Sequence, residues 1–249
     1  MNMALLGFPQ KAMKLGAEAV TLARSLSHPY SLAHAMWSSA IVFQVFRQRE
    51  SCRDLATELL ELSRVHDIPM MQGAGMFFLG WATADGGELE RGIALMEQGL
   101  ALFSAVRQVN RPYMLAVLAN AKADFGKPDE GRELLKDALA LTEVSGERWW
   151  QAELHRLKGE FLLRLPGSPA DNQAHAEEYF RRAHAIAQDQ RAKSLELRAS
   201  ISLSRLWHRQ DKISEARQIL AETYEWFTEG FDTADLQDAR NLLEQLSHD

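Results

Sequence analysis

Residues Glu147 to Gly167, "ERWWQAELHRLKGEFLLRLPG", gather Glu147, Glu153, His155 and Glu160 with the adjacent Trp149 and Trp150. Carboxylates and an imidazole are the raw material of general acid–base catalysis, and paired tryptophans can stack a flat ligand. On a helix, such groups act together only if they share a face. Glu160 and Arg164 are four apart, the spacing of a supporting ion pair, and Glu153 shares its face with Leu157. Glu153 and Lys158 are five apart and do not stack, and His155 falls between Glu153 and Arg156. No second histidine follows at i+4, so the H-E-x-x-H zinc geometry is missing. The spacing predicts a scaffold helix with one wet side. The tryptophan pair suits either an inter-repeat core or ligand stacking.

The remaining reactive residues assemble no better. His28, His34, His66, His155, His175, His184, His208 and His248 include no pair three or four apart, so no helical metal pair is expected. Cys52 has no nearby Cys or His and is expected to be a structural thiol in a reducing compartment. No G-x-S-x-G elbow is present. Gly126-Lys127-Pro128 has proline where a phosphate-binding loop needs a hydroxyl, and is expected to be an interhelix turn. Asp232, Asp235 and Asp238 lack the glycine and terminal glutamate of a calcium loop and are expected to be helix-start acids. No catalytic residue, cofactor or metal is therefore expected, and the chain is not expected to be an enzyme.

The 249 residues are 46% apolar and 25% charged, an ordinary globular composition. A net charge of −6 argues against nucleic acid or an acidic membrane as partner. No apolar run reaches the roughly 18–20 residues of a membrane span, and the N-terminus lacks the pattern of a secretory signal. A cytoplasmic setting is expected.

Apolar residues recur at i, i+3, i+4 and i+7 through segment after segment, and Pro and Gly fall between the segments. The segments are also copies of one another. A tiny residue aligns at Ala12, Ala56, Gly92, Gly131, Ala176 and Ala216, at intervals of 36 to 45 residues. Large residues follow three and four positions on, as in Leu59/Leu60, Leu134/Leu135 and Tyr179/Phe180, although the first copy offers Leu15/Gly16. Seven positions on stand Ala19, Ser63, Gly99, Ala138, Ala183 and Thr223. Glycine within a helix costs up to about 1 kcal/mol against alanine, so Gly92 and Gly99 imply close helix approach.

A partner helix precedes each copy, opening near Pro29, Pro69, Pro112, Arg148 and Ala192. "MNMALLG" is expected to be the end of a further such helix, leaving apolar surface there that another chain could cover. The predicted architecture is all-α, one domain over 1–249: an α-solenoid of antiparallel helix pairs at about 1–27, 28–67, 68–109, 110–146, 147–190 and 191–229. A capping helix at 232–247 follows, with Asp232 or Thr233 as N-cap and "SHD" as a natural terminus.

These units resemble tetratricopeptide repeats, which adds the expectation of a right-handed superhelix. "LGFPQKA", "SHPYSLAHA", "RPYMLAVLA", "ERWWQAELHRLKGEFLL", "AKSLELRASISLSRLW" and "WFTEGFDTADLQDA" further resemble the C-terminal region of large bacterial signalling proteins. Those join an adenylate/guanylate cyclase or other signalling domain to an AAA-type ATPase and then to such repeats. The resemblance implies a sensory or scaffolding part, not the enzyme. In this class the first helix of each pair lines a concave groove. Gln72, Asn120, Lys122, Trp149, His155, Arg156, Arg198, Ser202 and Arg205 are the candidates to face it and hold a peptide, a protein partner or a small effector. The expected partners are a protein or peptide, such as an ATPase or cyclase domain, or a second copy through the N-terminal end.

Overall fold

A computed structural model describes residues 1–105, 109–165 and 169–248. Pro166 and Gly167 of the opening stretch, and Asp249 of the expected terminus, lie outside them. Among the described residues there are thirteen helices and no strand. In order they are α1 (Asn2–Leu5), α2 (Pro9–Ser25), α3 (Pro29–Val45), α4 (Arg49–Val65), α5 (Pro69–Asp85), α6 (Leu89–Ser104) and α7 (Arg111–Asp124). There follow α8 (Pro128–Ser145), α9 (Gln151–Leu163), α10 (Pro169–Asp189), α11 (Lys193–His208), α12 (Ile213–Tyr224) and α13 (Ala234–Gln245).

Most of the helices stop where the backbone turns left-handed. Gly7, Ser27, Arg47, Asp67 and Gly87 all have positive φ and recur every 20 residues. The hydrogen bonds there are those of the Schellman cap. Gln48 N–H donates to the Phe43 carbonyl at 2.8 Å, Ile68 to Ser63 at 2.9 Å and Glu88 to Thr83 at 3.2 Å. Arg191 and Asp211 close α10 and α11 in the same way, through Ala192 N–H to Ala187 and Lys212 N–H to Trp207. A three-residue turn of this kind reverses the chain and sets up antiparallel hairpins.

The chain forms two compact units. The first is Gln10–Leu134; the second is Leu135–Asp249 together with Asn2–Pro9. In both, the two helices of a hairpin differ in character. The first helix is buried on most sides, as in α5, where Met71, Gly73, Ala74, Phe77, Phe78, Gly80 and Trp81 are all buried. The second buries one stripe, as in α4, where the stripe is Cys52, Ala56, Leu59, Leu60 and Ser63. Cys52 is fully buried with its thiol against the Ala40 carbonyl, and burial pushes its ionisation well above the usual thiol range.

The aligned tiny residues sit at the helix contacts. Ala56, Ala176 and Ala216 are 0% exposed, and Ala12, Gly92 and Gly131 are also buried. The α5–α6 pair is the tightest case. A Cβ on Gly99 would lie 2.5 Å from the Phe77 nitrogen and 2.6 Å from the Gly73 carbonyl. A Cβ on Gly92 would lie 2.5 Å from both the Ala84 nitrogen and the Gly80 carbonyl. Gly73 and Gly80 meet the same limit from the other side, so the two backbones touch at both crossings.

Three expectations need correction. In the first copy the buried face of α2 runs through Ala12, Val20 and Ala23, whereas Ala19 is exposed and Leu15 is 45% exposed. Leu15, Ala19, Leu22 and Leu26, at i, i+4, i+7 and i+11, form one outward stripe there. The fifth first-helix begins at Gln151 rather than near Arg148. Trp150 is 3% exposed at its N-cap, and Gln151 N–H closes a turn on the Arg148 carbonyl. Glu160 does not pair with Arg164 but with Arg156 and Ser202, while Arg164 lies over the Phe161 ring.

Gly99→Ala is expected to destabilise the protein by about 1–2 kcal/mol in urea unfolding, because backbone atoms cannot yield to the new methyl and overpacking outweighs the roughly 1 kcal/mol helix-propensity gain. Arg191→Gly, at an exposed position with φ 54, is expected to raise stability by about 0.5–1 kcal/mol in the same assay.

Candidate functional site

The most charged constellation lies in the second unit, on three helices packed side by side. Glu153, Arg156 and Glu160 share one face of α9 by their i, i+3, i+7 spacing. Arg198, Ser202 and Arg205 do so on α11, and Asp235 and Asp238 on α13. Both α9 and α13 pack against α11, so the three faces meet in a polar seam.

At its buried end, Arg198 is 8% exposed. Its Nε donates to Asp235 Oδ2 at 2.6 Å and its Nη1 to Glu153 Oε1 at 3.4 Å. Its guanidinium lies 5.7 Å from the centre of the Trp150 ring. Arg156 makes a two-pronged contact with Glu153, at 2.8 Å on both oxygens, and reaches Glu160 and Ser202. Ser202 in turn donates to Glu160 Oε1 at 2.6 Å. Burial alone would lower both arginine pKa values. The neighbouring carboxylates outweigh it and raise them, led by Glu153 for Arg156 and by Asp235 for Arg198. Each carboxylate of the seam faces a guanidinium, so none stands as a free general base. Removing one member would strand a buried charge, at a cost of about 3–5 kcal/mol.

The seam opens to solvent at its other end. Arg205 pairs with Asp238 at 3.6 Å, and their side chains are 46% and 38% exposed. Beside them is a pocket of about 210 Å³, lined by Arg205 and His208 from the last turn of α11, by its C-cap Arg209, and by Asp238, Asn241, Leu242 and Gln245 from α13. Arg209 is exposed and has no ion-pair partner among the described residues. Two guanidiniums, two amides and an imidazole against one carboxylate make a donor-rich opening suited to an oxyanion.

The other sequence candidates are distributed elsewhere. In the first unit, Gln72 donates to the Ser63 carbonyl at 3.0 Å and Asn120 to Asp124 at 3.0 Å. Lys122 holds Glu97 and Glu130, both at 2.6 Å, and clamps α6 and α8 through one ammonium. Trp149 donates its indole N–H to Glu147 at 2.7 Å and leans on Trp150 with ring centres 5.1 Å apart. His155 is 6% exposed and stacked on Tyr179 of α10, and neither ring nitrogen has a hydrogen-bond partner. Burial, with help from the charges of Arg182 and Lys158, lowers its pKa to about 4. The seam thus brings Arg156, Arg198, Ser202 and Arg205 together within the second unit, whereas Gln72, Asn120 and Lys122 belong to the first.

Spacing along single helices did not reveal the acidic partners. Asp235 stands in the first turn of α13, as its reading as a helix-start acid has it, but it is also 8% exposed and neutralises Arg198 on another helix. Thr233 is the N-cap of α13, but its hydroxyl donates to the Gly230 carbonyl instead of capping the helix. The available signal was that Glu153 and Arg156, then Arg198, Ser202 and Arg205, then Asp235 and Asp238, repeat polar residues on faces that should be apolar. Among the described residues no group of three or more His, Cys, Asp or Glu could hold a metal, and no helix is long and apolar enough to cross a membrane.

No family model matches the chain. It is 27% identical over 182 residues to an uncharacterized protein of Rhizobium meliloti, a match covering 73% of this chain and 17% of that protein. The chain therefore spans well under a fifth of the length of this relative. Among solved structures, the apo form of RapI superposes with a TM-score of 0.63 at 13% identity, covering 94% of this chain and 77% of that one. A putative kinesin light chain of Podosopora anserina with nearly identical TPR-like repeats gives 0.51 at 16% identity, covering 90% and 100%. These likenesses concern the fold: the chain is a tetratricopeptide-like α-solenoid.

The folded chain keeps His155 neutral far below the ordinary histidine range. As pH falls from about 6.5 toward 4, the unfolded chain takes up a proton that the folded chain refuses, so this residue makes stability fall with pH. His155→Phe is expected to remove that part of the slope, seen as urea midpoints that differ less between pH 7.5 and pH 5 than in the parent, and to raise the midpoint at pH 7.5 by relieving two unbonded nitrogens.

Proposed function

We propose that this chain is a non-catalytic interaction module of a bacterial, cytoplasmic signal-transduction protein. It binds an acidic segment of a protein partner at the open end of the polar seam, and that binding biases an attached ATPase or cyclase. The observation that carries the proposal is the α11–α13 pocket, with Arg205, His208 and Arg209 gathered on a protein of net charge −6. A basic opening on an acidic molecule selects for carboxylates and repels the wider range of cationic surfaces. The buried end of the seam fixes α11 against α13, so the donors are positioned before the partner arrives. The repeat fold supports a binding role, since stacked hairpins offer extended surfaces. The much greater length of the Rhizobium meliloti relative supports a place within a larger protein.

A second function is favoured by the outward stripe Leu15, Ala19, Leu22 and Leu26 on α2, whose leucines are 45%, 63% and 62% exposed. That surface suits self-association. Light scattering over a dilution series decides it, and a constant monomer mass ends it.

For the main proposal, a fluorescent Glu-rich decapeptide with a free C-terminal carboxylate is expected to bind the parent chain in an anisotropy titration. Arg209→Glu should weaken it at least tenfold with an unchanged urea midpoint, and moderate salt should weaken it as well. Equal affinity for parent and variant, or no binding, overturns the proposal. A cyclase or ATPase coding region in frame upstream of this sequence is the outcome expected for the signalling setting.

A further inference from the structure

Asn2–Pro9 belongs to the second unit, whereas the residues that follow it, from Gln10 onward, belong to the first. The segment is a single turn of helix, α1, closed by Gly7 in the left-handed conformation and followed by Phe8 and Pro9. It docks near the start of α11 and on the link between α12 and α13. Ser194 Oγ donates to the Ala4 carbonyl at 2.6 Å, and both residues are buried. Phe8 meets Trp226 edge-on with ring centres 5.3 Å apart, and the Lys193 ammonium lies 5.9 Å from the same indole ring.

The fit depends on missing side chains. A Cβ on Gly7 would come within 2.6 Å of the Trp226 ring and 2.9 Å of Lys193 Cβ. A Cβ on Gly230 would overlap the Pro9 ring. Such closeness marks a shaped receptor surface. The hold on it is nevertheless slight. α1 has four residues, one hydrogen bond ties it to α11 among the described residues, and although Ala4, Gly7 and Pro9 are buried, Leu5, Leu6 and Phe8 are only half-buried. Trp226 itself remains 37% exposed.

We propose that Lys193, Ser194, Trp226, Phe227 and Gly230 form a docking site for a short helix end, which residues 2–9 occupy in cis. A partner segment of the same build takes the site by displacing them: an apolar helical turn, a left-handed glycine, an aromatic residue and a proline. A tethered segment competes at an effective concentration on the order of millimolar, and a site closed 99% of the time binds its partner about 100-fold more weakly than an open one. Residues 2–9 therefore act as a built-in inhibitor that sets the threshold for the partner. This site lies at the opposite end of α11 from the acid-binding pocket, about 20 Å away along the helix, and stands whether or not that pocket binds.

Two measurements test it. In hydrogen exchange on the unmodified full chain, the Leu6 and Phe8 amides, bonded to the Asn2 and Met3 carbonyls, should exchange at least 100-fold faster than those in the middle of α11. A labelled synthetic peptide with the sequence of residues 1–10 should bind full-length Phe8→Ala at least tenfold more tightly than the parent. Adding Trp226→Ala should abolish that binding. Exchange of Leu6 and Phe8 in step with α11 would make the segment permanent core and overturn the proposal. Equal binding to parent and Phe8→Ala, or no binding to either at about 1 mM, overturns it too.

Discussion

Backbone-to-backbone contact between neighbouring helices is the constraint on which this molecule rests. At the α5–α6 crossings the limiting atoms are amide nitrogens and carbonyl oxygens of the facing helix, with no side chain between. Helices this close need a hydrogen-sized side chain at the crossing, and they need the turn between them to be short. The second requirement is met by left-handed residues every 20 positions from Gly7 to Gly87, each capping one helix and launching the next. Glycine supplies that conformation at no steric cost at Gly87 and Gly126, while Arg47, Asp67 and Arg191 adopt it against a penalty of about 1–2 kcal/mol. Tertiary packing of the two hairpin helices outweighs that penalty.

Close packing explains why polar residues on first helices behave as they do. These helices are enclosed by their neighbours, so a polar side chain there has little access to water and must find a partner within the protein. Arg198 finds Glu153 and Asp235; Arg156 finds Glu153, Glu160 and Ser202. A matched set of charges in such a place contributes less to net stability than apolar side chains of the same volume would. His155 shows the other outcome, an imidazole enclosed against Tyr179 that stays neutral because nothing is there to share its proton.

The same enclosure bears on where partners can act. Buried charges are engaged with one another, so polar groups open to solvent lie at the edges, where packing ends. Arg205, Arg209 and the α13 amides stand at one end of α11, and Lys193, Ser194 and Trp226 near the other. One edge is polar and open; the other is apolar and already covered by residues 2–9.

Much of this was legible in the order of residues. Helical period, prolines at Pro29, Pro69 and Pro112, and the recurring tiny residues at Ala56, Gly92, Ala176 and Ala216 determined an all-α chain of stacked hairpins, because they act within one helix or across one crossing and leave a periodic trace. Arg156, Arg198, Ser202 and Arg205 were also visible as polar residues of first helices, expected to face a groove; Arg198 and Ser202 are buried against other charges and hydroxyls instead. What the sequence left undecided was which charges meet. Asp235 lies 37 positions from Arg198, and Ala4 lies 190 from Ser194. Neither distance has a period, so only the folded chain could show that Asp235 is a buried counter-ion and that the first residues dock beside the start of α11. Local spacing specifies the elements; pairing across them depends on the angle and offset at which whole helices pack, and that is set jointly by all the side chains in the interface.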